Sequence, residues 1–278
     1  MATLPPAIDP RSVHIPGRIH TLTGDVRLHP RFHSRFLAND RDVIVWLPPG
    51  YRSEAARRYP ILYLQDGQNV FDGATSFLAG IEWRFDETAQ RLVQAGQIEP
   101  LIIVGVSNTG LRGWEYLPPP FSIPHAEQGA DLYGRLLLDE LMPAIEAEYR
   151  VQTGPENTGL GGSSLGGAVS LYLGLRYPQV FGRLAVLSPG IRRSAQRVLA
   201  EIRGLRSKPA TRLWLDAGTR EGGFFLGGAR LIRDALLAKG WQPGDDLVYR
   251  EVPGGLHNEA AWAQRVAPLL RFLFPPIA

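Results

Sequence analysis

Runs of β-branched and aromatic residues alternate along this chain with stretches whose apolar positions recur at helical spacing, and together they predict a series of strands and helices. Arg41-Asp42-Val43-Ile44-Val45-Trp46-Leu47 has strand composition and is closed by Pro48-Pro49-Gly50, and Ile61-Leu62-Tyr63-Leu64 follows Pro60 as a second strand. Residues 101–106 are apolar apart from Gly105, the pattern of a strand covered on both faces in a parallel sheet. Further strands are predicted at 158–160, 184–188, 212–216 and 246–252. Helical spacing marks 82–94, 131–149, 168–177, 194–202 and 229–239, the last stopped by Gly240 as a C-cap, and a closing helix over 258–272. A β-rich start followed by βα alternation predicts an α/β fold with an open, mostly parallel sheet and helices on both faces.

Two stretches interrupt this rhythm. Residues 1–37 carry Pro5, Pro6, Pro10, Pro16 and Pro30 among mixed polar residues and read as decoration, with an edge strand at 18–22. Residues 107–128 form a long irregular segment holding Arg112, Trp114, Glu115, Tyr116 and Pro118-Pro119-Pro120. Irregular segments of that length in a compact domain usually serve function. It reads equally as a substrate-facing wall or as a solvated surface loop. No linker composition appears, so the 278 residues are expected to form a single domain, with a core over 41–273.

Composition narrows the function classes. With 44% hydrophobic and 21% charged residues the chain is globular, neither disordered nor fibrous. Its net charge is only +3 and its basic residues are scattered, which argues against nucleic-acid binding. Absence of cysteine excludes disulfides and thiolate catalysis. Four of the six histidines, His14, His20, His29 and His33, lie near the N-terminus at spacings that fit no metal motif and are read as surface or packing residues, so neither metal nor cofactor is expected. Residues 1–6 lack the basic and apolar regions of a signal peptide, and no apolar run approaches membrane-spanning length. A cytoplasmic location without membrane association is therefore expected, and oligomeric state is left open.

The chemistry concentrates in Gly159-Leu160-Gly161-Gly162-Ser163-Ser164-Leu165-Gly166-Gly167. Ser164 has Gly162 and Gly166 two residues away on either side, a G-x-S-x-G frame that Ser163 does not satisfy. A nucleophile raised on a sharp strand-to-helix turn brings backbones into close contact, which glycines permit. It also aims the amide of the following residue, Leu165, at the place where an oxyanion forms. A phosphate cradle of the P-loop type would place a lysine after the glycines, and none follows.

A serine hydroxyl needs a neutral imidazole to take its proton and a carboxylate to orient that imidazole. In a sheet whose elbow precedes further strands the order is serine, acid, histidine, each in a loop at one sheet edge. His257 is the only histidine after Ser164 and lies just beyond the last predicted strand; His125 is the weaker alternative. For the acid, Asp216-Ala217-Gly218-Thr219-Arg220-Glu221 offers two carboxylates. Glu221 is favoured because it lies in the loop, with Asp216, still in the strand, as the alternative. The loop Gln65-Asp66-Gly67-Gln68-Asn69 ends a buried strand where open α/β sheets bind ligands, so Asp66 and Gly67 are candidate substrate contacts and Gln68 the candidate second oxyanion donor. Because the base must be neutral, activity is expected to fall on acidification through roughly pH 6–7.

These motifs, with Val43 to Tyr51, Gly218-Thr219-Arg220-Glu221 and Gly255-Leu256-His257, resemble the esterase family of the α/β-hydrolases. That family includes esterase D-type enzymes, enterochelin esterases, feruloyl and acetylxylan esterases and mycolyltransferases. The resemblance runs from about Arg41 to Phe272. It implies an α/β-hydrolase fold without a large cap domain, Ser164 as nucleophile, His257 as base and the acid at Glu221, with Arg112 and Glu115 flanking the pocket. The expected activity is serine carboxylesterase chemistry on small-molecule esters: short-chain, aryl, or acylated sugars or siderophores. Acyl transfer and thioester hydrolysis use the same acyl-enzyme, and a non-catalytic binding protein on this scaffold is the rival of another class.

Overall fold

A computed structural model describes residues 2–119, 128–191 and 194–276. In chain order the elements are β1 (Asp25–Phe32), β2 (Arg41–Leu47), β3 (Ile61–Gln65), α1 (Phe85–Gln94), β4 (Ile102–Val106), α2 (Arg112–Glu115), α3 (Gly129–Arg135) and α4 (Met142–Glu148). They continue with β5 (Thr158–Ser163), α5 (Leu165–Arg176), β6 (Arg183–Leu187), α6 (Ala195–Gly204), β7 (Arg212–Gly218), α7 (Gly223–Lys239), β8 (Leu247–Val252) and α8 (Glu259–Leu273). The result is an α/β fold with mostly parallel strand pairing, of the α/β-hydrolase class, and no large cap domain stands among the described residues. Contacts divide the chain into two compact units. One comprises Met1–Thr109, Leu136–Thr153 and Asn258–Ala278, and the other Gly110–Arg135 and Gly154–His257.

In the first unit the strands run in the order β1-β2-β4-β3. β1 and β4 flank β2 antiparallel, and β3 lies parallel to β4 with Ile61 opposite Ile102 and Gln65 opposite Val106. Every residue of β3 and β4 is buried, as their unbroken apolar runs require. Trp83 stacks on Phe85 and packs against Trp262 of α8. Asn258 starts α8 by accepting the Ala261 N–H on its side-chain oxygen at 3.0 Å. His29 is buried. Its Nδ1 donates to the Pro5 carbonyl at 2.7 Å and its Nε2 accepts from the Tyr149 hydroxyl at 2.6 Å, an arrangement of the neutral ring. Burial accordingly lowers its pKa from the ordinary value of 6.5.

In the second unit β5, β6, β7 and β8 lie side by side, all parallel. α5 is buried on nearly every side, which explains its lack of a polar face. Gly240 ends α7 in the left-handed conformation, as its place in the sequence predicts.

The structure corrects the sequence reading in three places. Residues 18–22 are not a strand: the Thr21 N–H donates to the Asp72 carboxylate at 3.0 Å, and Arg18 donates to the carbonyls of Ala74 and Ser76. His20 binds Asp72 through Nδ1 and the Val13 carbonyl through Nε2, two partners that only accept; its hydrogen bond to Asp72 is the main cause that raises its pKa. The edge strand is β1 instead, where Pro30 sits at a register irregularity between His29 and Phe32, a place that a strand edge tolerates. The helix expected over 131–149 is two α segments flanking a π-helical stretch, Leu136–Leu141, with Pro143 just beyond it. The irregular segment 107–128 contains α2, while its residues 120–127, with His125, lie outside the described residues.

Candidate active site

The candidate nucleophile stands between β5 and α5. Ser164 has φ 56° and ψ −123°, a conformation that a non-glycine residue adopts only at a cost. Three backbone bonds hold it there: its N–H donates to Leu187 at 3.0 Å, and its carbonyl accepts the N–H groups of Gly190 at 2.8 Å and Ala168 at 3.1 Å. At Gly167 a Cβ would lie 2.9 Å from the Leu187 carbonyl oxygen and 3.0 Å from that of Gly162, so the elbow closes only over glycine there. Leu165 is the first residue of α5, where a backbone N–H has no intrahelical acceptor and carries the helix's partial positive charge.

Two loops at the carboxyl ends of β7 and β8 carry the candidate acid and base. They are fastened to each other: the Arg220 N–H donates to Gly255 at 3.0 Å and the Gly254 N–H to the Thr219 hydroxyl at 2.9 Å. His257 Nε2 lies 3.0 Å from Ser164 Oγ, and its Nδ1 lies 3.2 Å from Glu221 Oε2. A carboxylate only accepts, so Nδ1 carries a proton toward Glu221 and Nε2 can accept the serine proton. The Glu221 side chain is completely buried, whereas His257 keeps 26% of its side-chain surface. Glu221 Oε1 accepts from the Ser188 hydroxyl at 2.7 Å and from the Gly218 N–H at 2.8 Å. Ser164, His257 and Glu221 are therefore brought together in the order serine, imidazole, carboxylate, an arrangement capable of moving a proton off a serine hydroxyl.

The other sequence candidates are placed as follows. Asp216 is fully buried within β7, and its Oδ2 accepts from the Trp214 indole at 2.7 Å. In α2, Glu115 is buried and the Arg112 guanidinium lies 5.4 Å from the centre of the Tyr116 ring, while Trp114 is exposed at 48%. In the first unit, Asp66 takes a left-handed conformation (φ 59°) and accepts from the Asn108 side-chain amide at 2.6 Å. Gly67 begins a short 3-10 turn and presses so closely on Gly105 of β4 that no Cβ fits. Gln68 is half-buried and tied down: its side-chain oxygen accepts the Asn108 N–H at 3.2 Å, and its carbonyl accepts the Thr75 hydroxyl at 2.7 Å. An open cleft of about 700 Å³ borders Gln68, Asn39, Ser107, Asn108 and Thr109.

Sequence reasoning missed Ser188, Phe225 and Asn108. Ser188 was visible only as the end of a strand, and no spacing linked it to Glu221. The Phe225 ring stacks on the His257 imidazole with centroids 3.8 Å apart and planes inclined by 25°. Among the described residues no three His, Asp or Glu side chains gather as a metal ion would require, and no helix is long and apolar enough to cross a membrane.

Comparison with known proteins adds an independent line. The model of the family described as "Putative esterase" matches residues 34–273. The protein YbbA of Bacillus subtilis (strain 168) is 25% identical over 254 residues, covering 87% of this chain and 95% of its own length. An IroE-like serine hydrolase from Shewanella oneidensis superposes with a TM-score of 0.71 at 20% identity, over 90% of this chain and 80% of that one. A ferulic acid esterase from Anaeromyces mucronatus, solved in complex with ferulic acid, superposes with a TM-score of 0.64 at 21% identity, over 95% of both chains.

Proposed function

The chain belongs to the esterase family whose model spans residues 34–273, and from that we propose that it is a serine carboxylic-ester hydrolase working through an acyl-enzyme on Ser164. Ester hydrolysis is the family's chemistry. The observation that carries the finer reading is the unbroken chain of contacts from Ser164 Oγ through both nitrogens of His257 to Glu221.

In this reading Ser164 Oγ attacks the ester carbonyl carbon while its proton passes to His257 Nε2. Glu221 stabilises the imidazolium that forms, and the negative charge gathers on the former carbonyl oxygen. The Leu165 N–H donates to that oxygen. Gln68, the sequence's candidate for a second oxyanion donor, has its carbonyl and side-chain oxygen engaged by Thr75 and Asn108. Collapse breaks the ester C–O bond, the imidazolium protonates the leaving alcohol, and a water activated by the neutral imidazole releases the acid.

Short-chain, aryl and acylated-sugar or siderophore esters are the proposed substrates; the ferulic acid esterase among the structural neighbours supports the aryl class. The deciding experiment is fluorophosphonate labelling of wild type and Ser164→Ala with peptide mass mapping, alongside p-nitrophenyl acetate and butyrate turnover. Labelling at Ser164, with turnover lost in the variant, is the expected result. A wild type that is neither labelled nor active would refute the reading and favour a binding protein on the same scaffold. Product partitioning toward an added alcohol over water would instead identify an acyltransferase.

A further inference from the structure

The segment Glu221–Phe225 touches His257 twice. Glu221 meets the ring edge at Nδ1, and four residues later Phe225 covers a ring face at 3.8 Å between centroids. Gly222, at φ 87°, makes the reversal between them possible, and α7 begins at Gly223 with both phenylalanines in its first turn. Phe225 is itself braced by Phe224, whose ring meets it edge-on at 4.7 Å and 62°.

An imidazole held only by hydrogen bonds along its edge can still tilt about the axis through its two nitrogens. A flat ring against its face removes that freedom. The same face carries the negative lobe of the aromatic quadrupole, which attracts the charge that forms when the ring takes the serine proton. We propose that Phe225 is a positioning residue for the base. It holds the His257 plane so that Nδ1 and Nε2 reach Glu221 and Ser164 together, and it stabilises the charge that His257 gains when it takes the serine proton. The inference rests on the serine-esterase reading above, which made no use of this ring.

The test compares Phe225→Leu, which keeps an apolar side chain but removes the flat face, with Phe225→Tyr, which keeps the face. Acylation and deacylation both pass through the imidazolium, so both steps slow together. On p-nitrophenyl acetate Phe225→Leu is expected to lower kcat roughly tenfold with KM changed by less than about twofold, and Phe225→Tyr to retain at least about half of the wild-type kcat. Proton NMR supplies a readout independent of turnover: the His257 Nδ1 proton should be resolved downfield in wild type and Phe225→Tyr, and be broadened away in Phe225→Leu. Wild-type kcat in a folded Phe225→Leu would overturn the proposal. So would a loss confined to KM, which would make Phe225 a substrate contact, or equal losses in both variants that follow their thermal midpoints. A wild type without turnover or Ser164 labelling refutes the esterase reading alone, because the Nδ1 resonance still reports whether Phe225 orders the ring.

Discussion

Ser188 donates its hydroxyl to Glu221 at 2.7 Å, on the carboxylate oxygen that faces away from His257. That bond and the Gly218 N–H at 2.8 Å fix one oxygen of a fully buried carboxylate, which leaves the other directed at the imidazole. Ser188 is held at φ 46°, with its own N–H bound to the Asp216 carbonyl at 2.8 Å. A strained backbone maintained at one side of the candidate acid points to a geometric role for the hydroxyl.

Ser188→Ala removes one donor from a buried carboxylate. It is expected to cost about 1.5–3 kcal/mol in stability, the range for hydrogen bonds to charged groups, and to lower kcat with little change in KM. Thermal unfolding and steady-state kinetics on one preparation check both. Unchanged kcat would show that Gly218 suffices to orient the acid.

Glu221→Gln keeps the shape of the acid but loses the charge that balances the imidazolium and fixes its tautomer. A fall in kcat of roughly 10³–10⁴ is expected, by analogy with the corresponding change in serine proteases. Asp216→Asn is expected to leave kcat nearly intact, because the Asp216 carboxylate is engaged with Trp214 at 2.7 Å. The opposite ranking would transfer the acid's role to Asp216.

His29 gives a pH dependence of stability whose sign is fixed. Its pKa is lowered in the fold because burial disfavours the charged ring, so between the folded value and 6.5 the unfolded chain binds a proton that the folded chain does not. Its contribution is complete above 6.5 and is lost as the pH falls below it. The thermal midpoint of wild type should therefore drop more steeply from pH 8 to pH 5 than that of His29→Gln; parallel slopes would exclude His29 as the source.

Asp86 behaves oppositely. It is completely buried in the first turn of α1, where burial above all, and then the neighbouring Glu87, raise its pKa. The folded chain thus retains a proton that the unfolded chain has released, and stability falls as pH rises from the ordinary carboxylate range toward the folded value. Asp86→Asn keeps an oxygen for the Thr23 N–H, which Asp86 now binds at 2.6 Å, and needs no proton. The variant is expected to melt higher than wild type at pH 8 and to differ least at pH 4. A lower midpoint at pH 8 would refute this account.

Much of the architecture was legible because local rules governed it. The continuous apolar runs of β3 and β4 and the glycine-framed turn at Ser164 each follow from a constraint within a few residues. β1 was misplaced because its alternation is broken by Pro30 and charged residues, and only the neighbouring β2 makes the strand worthwhile. Residues 18–22 have a strand-like composition, but Asp72, Ala74 and Ser76 claim their polar groups.

The candidate site divides along the same line. The sequence by itself singled out the candidate serine, because only glycine tolerates the close approach around the elbow, and it favoured His257 as the candidate base over His125, because no other histidine follows the serine in the chain. Between Asp216 and Glu221 it could express only a preference, since both lie within a few residues of one strand end. Tertiary structure decided which carboxylate faces the imidazole, by turning Asp216 toward Trp214 and burying Glu221 between Ser188, Gly218 and His257. Ser188 and Phe225 stay invisible in one dimension for the same physical reason. Their parts depend on contacts across 33 and 32 residues of chain, to Glu221 and His257, and such contacts exist only once parallel strands bring their carboxyl ends together.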